Sequence, residues 1–170
     1  MSAVRCNVEH MFDIIDRIGA ECHEAALIDG IAELERIKAA AAARQARLAA
    51  AFDAARRSAE ADAGVPAGRR GRGVAVEVAL ARRDSPARGG RHLGFAKALV
   101  HEMPHTLAAL EAGALSEWRA TIVVRESACL DRSDRGRLDA ELCSDPRRLD
   151  GVGDAALTAR AKEIAYRLDP

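Results

Sequence analysis

The stretch TLAALEAGALSEWRATIVV, residues 106–124, decides how this chain folds, because it contains a helix pattern, a helix stop and a second helix start. Leu107 and Leu110 recur at the spacing of one helix face. Gly113 is the residue type that most readily adopts the left-handed conformation beyond a helix C-terminus. The pattern therefore predicts a first helix that ends near Ala112.

A second helix is predicted to begin at Ser116. Its side-chain oxygen can accept a hydrogen bond from a free N–H group of the following turn, and Leu115 before it is placed to pack on Ala120 as a hydrophobic staple. Two helices joined by about three residues must pack on each other, as a helical hairpin or as one half of a helix-turn-helix. Trp118, the only tryptophan in the chain, is expected to pack in the core between them, and the alternative is a stacking or ligand role.

The composition favours an all-α fold. The chain has 170 residues, enough for one domain or for one domain with a helical extension, and 49% of them are hydrophobic. Only 3% are aromatic, so the core must be built from Ala, Leu, Val and Ile, which favours closely packed helices. The β-branched runs near Val74 and Thr121 also fit strands, but helix caps or stops flank both. We therefore expect a long N-terminal helix followed by a compact helical domain with a helix-turn-helix-like core.

The long helix is predicted over residues 24–62, which contain no proline and carry apolar residues on a heptad pattern. At about 1.5 Å per residue it would be nearly 60 Å long, more than so small a domain can cover. This favours pairing with another helix or another copy of the chain, and the alternative is a helix folded back on its own domain. The heptad positions are Leu27, Ile31, Leu34, Ala41, Leu48, Phe52, Ala55 and Ala59, with Lys38 and Gln45 as polar interruptions.

The composition also divides the chain into three segments. Residues 1–63 are expected to form an N-terminal, coiled-coil-like helical segment, and the basic, glycine-rich GVPAGRRGRG at 64–73 is expected to be a loop. Residues 74–170 then form the helical domain. Within this domain, Ser85 is expected to cap a helix over residues 86–100 that begins with a proline.

The charge of the chain sums to zero but is distributed unevenly. Between Gly64 and His101 lie eight Lys or Arg residues and two acidic residues, so this segment is the basic part of an otherwise acidic chain. A local patch of this sign attracts phosphate, whereas the alternative is an Arg-rich linker and a helix face that are only solvated. The residues predicted to contact DNA are Arg69, Arg70, Arg72, Arg88, Arg91, His92 and Lys97.

No metal or cofactor site is predicted. The sequence HEMPH at 101–105 formally matches the zinc motif His-Glu-x-x-His, but Pro104 would break the helix that must present both imidazoles to one ion. No nucleophile and base stand at a spacing that supports catalysis, and Ser85 and Ser116 are better interpreted as helix caps. We therefore propose no catalytic residue.

The cysteines and the first residues of the chain predict a cytoplasmic protein. Cys6, Cys22, Cys129 and Cys143 form no Cys-x-x-Cys pair, which is consistent with reduced thiols. The first residues carry charges throughout and contain no apolar signal-peptide core, and no span of about twenty apolar residues follows. We therefore expect no membrane partner.

The order of these pieces resembles a known family. MPHTLAALEAGALSEWRA at 103–120, AYRLDP at 165–170 and the long-helix sequence LIDGIAELERIKAAAAARQARLAAAF at 27–52 are similar to the 13E12-repeat proteins of high-GC bacteria. The N-terminal part of that family is the helical domain of unknown function 222, and many members carry an HNH nuclease domain further downstream. The resemblance implies an N-terminal, truncated or mobile-element-derived member without nuclease chemistry of its own.

A second similarity concerns the turn between the two helices. Gly113, Leu115, Ser116 and Ala120 fit the helix-turn-helix core of ParB-type partition proteins. This resemblance implies that the hairpin helices are supports and that the preceding helix, 86–100, presents its outward side chains to DNA.

Two functions follow from these patterns. The first is a DNA-binding helical module that contacts double-stranded DNA through the basic loop and helix 86–100 and forms a homo-oligomer through residues 24–62. The alternative is a structural or protein-interaction module, in which the heptad helix pairs with a partner and the arginines have no nucleic-acid role. An enzyme is not expected, because the HNH region of longer relatives has no counterpart in this sequence.

Overall fold

The computed structural model describes residues 2–19 and 23–169, and this part of the chain contains eight α-helices and no β-strand. The helices are α1 (Ser2–Arg17), α2 (Glu24–Asp62), α3 (Val74–Ala81), α4 (Gly89–His101), α5 (Pro104–Glu111), α6 (Glu117–Glu126), α7 (Arg132–Cys143) and α8 (Asp154–Leu168). Short 3-10 turns lie at Ala67–Arg69, Pro86–Arg88 and Pro146–Leu149. The predicted all-α fold, with a long helix and a compact helical domain, is confirmed. Cys22 and Pro170 lie outside the described residues.

Helices α5 and α6 form the predicted hairpin. Gly113 has a φ of +73°, and the N–H of Ala114 donates to the carbonyl of Ala109 at 2.9 Å, which closes the end of α5. The Oγ of Ser116 accepts a hydrogen bond from the N–H of Arg119 at 3.3 Å and so caps α6. The stop and the start that the sequence indicates are both confirmed.

This hairpin lies between two hydrophobic clusters and contributes to both. The first cluster joins α2 to α4, α5 and α6 and consists of Ala39, Ala42, Ala43, Ala46, Ala96, Leu99, Leu107, Leu110 and Ala120. The second joins the hairpin to α7 and α8, and its largest members include Met103, Leu115, Ile122, Val123, Leu138, Leu142, Leu149, Leu157 and Ile164. Because one face of the hairpin packs in each cluster, residues 106–124 connect the two halves of the core.

Helix α2 packs on its own domain through a face of alanines. Ala39, Ala43, Ala46 and Ala50 are all buried, and small side chains let the helix backbone come close to its neighbours. The close approach is visible at Gly113, where a Cβ atom would lie 2.7 Å from the Cγ of Arg36. The helix therefore folds back on its domain, but it uses a different face from the predicted heptad positions.

The N-terminus of α5 receives its cap from a distant part of the chain. The carboxylate of Asp139, on α7, is fully buried and accepts hydrogen bonds from the N–H groups of His105 and Thr106 at 2.8 and 2.7 Å. The hydroxyl of Thr106 donates to the same carboxylate at 2.6 Å. This carboxylate satisfies N–H groups that a helix start leaves without partners, and it ties α7 to the hairpin.

The turn before α4 differs from the predicted one. Ser85 makes no side-chain cap, so that prediction is wrong. Instead the carboxylate of Asp84 accepts a hydrogen bond from the N–H of Ser85 at 2.7 Å, and Pro86 opens a 3-10 turn that leads into α4. This hydrogen bond orders the turn but does not replace the missing cap, because the N–H of Ser85 precedes the first helical residue.

None of the described helices is long and apolar enough to cross a membrane.

Candidate nucleic-acid interface

A groove with a volume of about 440 Å³ opens between the C-terminal end of α3, the first half of α4 and the first half of α6. We call it the basic groove because three arginines and a histidine line it. Its lining consists of Arg82, Arg88, Arg91, His92, Phe95, Glu117, Trp118 and Thr121. The structure thus brings three of the predicted DNA-contacting residues together with Arg82 and Trp118.

Gly89 sets the position of α4 beside α3. It is buried at the start of α4, where a Cβ atom would lie 2.1 Å from the carbonyl oxygen of Ala75. Only a residue without a side chain permits this approach of the two backbones. The contact fixes the N-terminal end of α4, and with it the neighbouring Arg88 and Arg91, next to the first turn of α3.

Two carboxylates hold several of the cations in the groove. An oxygen of Glu117 lies 2.7 Å from a guanidinium nitrogen of Arg82. Asp84 lies 2.8 Å from the Nε2 of His92 and makes a longer contact of 3.5 Å with Arg88. The hydrogen bond with His92, followed by that from the Ser85 N–H, lowers the pKa of Asp84 below its ordinary value, so this carboxylate is ionised at neutral pH.

Arg91 is the cation in the groove that these carboxylates leave free. It is exposed and has no hydrogen-bond or ion-pair partner within residues 2–19 and 23–169. Arg88 has only the contact of 3.5 Å with Asp84, and its side chain is 59% exposed. The groove therefore offers one unpaired and one weakly paired guanidinium group to a ligand.

Trp118 lies at the edge of the basic groove and not in the core. Its side chain is 57% exposed, so the prediction that it packs between the hairpin helices is wrong. The buried residues of α6 are Ala120, Ile122 and Val123, whereas Trp118 stands in the first turn of the helix. The indole N–H donates to a carboxylate oxygen of Asp154 at 2.9 Å.

The remaining predicted DNA-contacting residues lie elsewhere. The ammonium group of Lys97 donates to the buried carboxylate of Asp53 at 3.2 Å, which places it in the interface between α2 and α4. Arg70 donates to the carbonyl of Val65 at 2.7 Å and so holds the loop 64–73.

The two other loop arginines are free. Arg69 and Arg72 are exposed and make no hydrogen bond or ion pair with any residue that the structure describes. The loop that carries them precedes α3, and neither arginine lines the basic groove.

The sequence contained a signal for part of the groove. Arg88, Arg91, His92 and Phe95 stand at positions i, i+3, i+4 and i+7, which is the spacing of one helix face. Arg82 and Trp118 join them only because α3 and α6 pack against α4, so no local pattern indicates them.

A second exposed surface is apolar. Leu48 and Phe52 on α2 are 54% and 37% exposed, and Val76 and Leu80 on α3 are also exposed. Leu48 and Phe52 line a groove of about 420 Å³ between the two helices. Further exposed apolar residues lie towards the start of α2, so we define the apolar stripe as Leu27, Ile28, Ile31, Leu48, Phe52, Val76 and Leu80.

Within residues 2–19 and 23–169, no group of three or more His, Cys, Asp or Glu side chains is arranged to hold a metal ion. A scan of protein-family models and searches of curated proteins and solved structures found no match to the chain, so the resemblance to the 13E12-repeat proteins remains a sequence-based prediction.

Proposed function

We propose that this chain is a DNA-binding helical module that contacts the phosphates of a duplex through the basic groove and the loop 64–73. The observation that carries the proposal is the basic groove, where Arg91 is exposed and unpaired beside the weakly paired Arg88. An exposed, unpaired guanidinium group binds phosphate at a small cost in free energy, because no existing ion pair has to be broken.

The geometry narrows the set of residues that can contact phosphate. Lys97, Arg70 and His92 have partners within the fold, so they are expected to support the structure and not to bind DNA. The remaining cations are Arg69, Arg72, Arg88 and Arg91. If each neutralises one phosphate, counterion release gives a slope of log K against log salt of about −3.6.

A titration of a fluorescent duplex at several salt concentrations tests this proposal. We expect Arg91→Ala to weaken binding and to make the slope shallower by about 0.9, the contribution of one phosphate contact. Arg44→Ala is the matched control, since Arg44 is an exposed arginine on α2 that has no partner among the described residues and lies outside the groove. Absent or salt-independent binding of the wild-type chain would refute the proposed function.

Under this proposal the chain has no catalytic step of its own and acts in the cytoplasm. Its resemblance to the 13E12-repeat proteins supports a role beside an HNH nuclease domain, which many members of that family carry. Any nuclease reaction would then belong to that domain, and this chain would contribute affinity for DNA.

A second candidate function is favoured by the apolar stripe. Its members Leu27, Ile31, Leu48 and Phe52 are heptad positions of α2, and all are exposed in the single chain. Exposed apolar residues at heptad positions favour a helix that pairs with another helix, and here they form two groups, one at each side of the polar Lys38 and Gln45. The proposed partner is α2 of a second copy, because a two-fold contact lets the same residues serve as both surfaces. This interaction module requires no nucleic acid, and it is also compatible with DNA binding.

A further inference from the structure

We propose that the basic groove takes an unpaired nucleotide of a nucleic-acid strand, with its base stacked on Trp118 and its phosphate bound by Arg91. This inference rests on the proposed function, because it treats the groove as a nucleic-acid surface and names the form of nucleic acid that fits it.

Trp118 supplies the first argument. It is the largest side chain in the groove, and more than half of its surface is exposed. Its one polar atom, the indole nitrogen, already donates to Asp154 at 2.9 Å. The hydrogen bond orients the ring, and the remainder of the exposed side chain is aromatic surface. An oriented aromatic ring that is open to solvent is suited to stacking with a nucleobase at a small entropic cost.

The charges around the ring supply the second argument. Each acidic side chain that faces this region has a cationic partner or a histidine beside it. Glu117 is paired with Arg82, Asp84 with His92 and Arg88, and Asp154, which also accepts from the indole N–H, lies 4.0 Å from the guanidinium group of Arg119. Their negative charges are therefore compensated or engaged, and the free group is the cation of Arg91. A phosphate next to a stacked base would meet a positive group and no unpaired carboxylate.

The size of the groove is consistent with this ligand. Its volume of about 440 Å³ lies within the range of ordinary small-molecule sites, which is about 300–1,000 Å³. The half-buried Phe95 gives the lining a second aromatic residue. A nucleotide has both an aromatic face and an anionic phosphate, whereas an acidic peptide would use the arginine and leave the tryptophan without a specific partner.

The ring also explains why the nucleotide should be unpaired. Within a duplex, both faces of an internal base are covered by its neighbours, so a protein aromatic ring has no free face to contact. A base in a single strand offers such a face, and stacking of this kind tolerates any sequence. The groove is therefore expected to prefer single strands to blunt duplexes, whereas the loop arginines bind phosphates of either form.

Trp118 makes the test direct, because it is the only tryptophan of the chain and its fluorescence reports on the groove. The wild-type chain is titrated with a fluorescein-labelled oligothymidylate of about 12 nucleotides and with a blunt duplex of the same length, a length within known single-strand site sizes. The anisotropy of the fluorescein label measures binding. In a second titration with unlabelled oligonucleotides, quenching of the tryptophan emission measures contact with Trp118. We expect saturable quenching by the single strand at concentrations where the duplex leaves the emission nearly unchanged.

Variants separate stacking from charge. Trp118→Ala is expected to weaken single-strand binding at least about fivefold, the lower end of base–aromatic stacking, without changing the salt slope. Trp118→Tyr, which keeps an aromatic ring, restores part of that loss. Arg91→Ala makes the slope shallower by about 0.7, the value for one phosphate of a single strand. Tyr166→Ala is the aromatic control, because Tyr166 is 73% exposed and lies outside the groove. Far-ultraviolet circular dichroism of each variant checks the fold.

The outcomes distinguish the two proposals. Single-strand quenching without any duplex binding supports the inference and refutes the proposed duplex function. Duplex binding without quenching, together with an unaffected Trp118→Ala variant, overturns the inference and leaves the proposed function standing. Equal quenching by poly-glutamate would show that the groove responds only to charge, which also overturns it. If thymidine monophosphate binds as tightly as the oligonucleotide, the assignment to a strand is wrong.

Discussion

At the scale of single residues, Gly89 and Trp118 show that the structural role of a residue depends on its neighbours in space. A glycine within a helix normally weakens it, yet the missing side chain of Gly89 is what lets α4 lie against the carbonyl of Ala75. Trp118 would usually be assigned to a core, yet it lies on the exposed face of α6 and lines the basic groove.

We expect Gly89→Ala to destabilise the fold by roughly 1–3 kcal/mol, because the new Cβ atom would lie 2.1 Å from the oxygen of Ala75 and would force α4 away from α3. Gly94→Ala in the same helix is the matched control. Nothing lies within 4 Å of a Cβ atom there, so its better helix propensity should stabilise the protein by about 0.5–1 kcal/mol. Urea unfolding followed by circular dichroism measures both changes. Equal effects of the two substitutions would show that the backbone contact is not tight.

At the scale of elements, polar groups from different helices fix how those helices pack. Asp139 of α7 supplies the cap of α5, and Asp53 of α2 binds Lys97 of α4 at 3.2 Å. Asp53 also accepts a hydrogen bond from Arg57, one turn further along α2, at 2.8 Å. Burial by itself raises the pKa of Asp53, but the hydrogen bonds and charges of Arg57 and Lys97 outweigh burial, and the net result is a pKa below the ordinary 3.8.

This lowered pKa predicts how the contact between α2 and α4 responds to acid. Because the folded state favours the ionised carboxylate, the stabilisation is fully present above pH 3.8 and is lost as the pH falls through the lower pKa of the folded state. We expect Asp53→Asn to lower the free energy of unfolding by about 1–2 kcal/mol at pH 7 and by little in strong acid. The value at pH 7 is moderate because the two cations remain partly hydrated.

Urea unfolding of both proteins at neutral pH and at low pH measures this difference. Glu111→Gln serves as the control, since Glu111 is an exposed carboxylate that pairs with Arg47 of α2, and its loss should cost less than about 1 kcal/mol. A loss of stability in Asp53→Asn that is equal at both pH values would contradict the role assigned to the ionised carboxylate.

At the scale of the whole molecule, α2 has one buried face of small residues and one exposed face with larger apolar residues. The alanine face packs on α4 and α5, whereas Leu48 and Phe52 of the heptad pattern lie outside, next to the groove between α2 and α3. The fold thus uses the small side chains for its own core and leaves the large ones uncovered. This arrangement is typical of a surface that a second copy covers.

We therefore expect the chain to sediment at micromolar concentration as a species of twice the 18.1 kDa monomer mass. Leu48→Glu places a charge in the apolar stripe and should weaken the dimer by more than about tenfold. Ala54→Glu adds the same charge at an exposed position of α2 that lies about 120° around the helix from Leu48, and it should leave the dimer unchanged. If the wild-type chain sediments only as a monomer, the stripe is not a self-association surface.

The sequence by itself determined the elements of this protein. The extent of α2, the end of α5 at Gly113 and the start of α6 at Ser116 agree with the predicted positions. These features depend on interactions within one or two helical turns, such as a left-handed glycine or a hydroxyl that caps its own helix. Local chemistry of this kind is present in the order of the residues, so it can be read without knowledge of the packing.

The tertiary structure decided which faces are buried and which side chains meet. Periodicity placed Leu48 and Phe52 on one face of α2, but the domain buried the neighbouring alanines, because closely packed helices need small side chains at their contact. Residue type assigned Lys97 to DNA, but packing brought it to the carboxylate of Asp53, 44 positions away in the sequence. The same packing placed Trp118 and Arg91 in the lining of one groove. Contacts between distant residues depend on how whole helices fit together, and this fit is set by the sum of many small interactions that no local pattern contains.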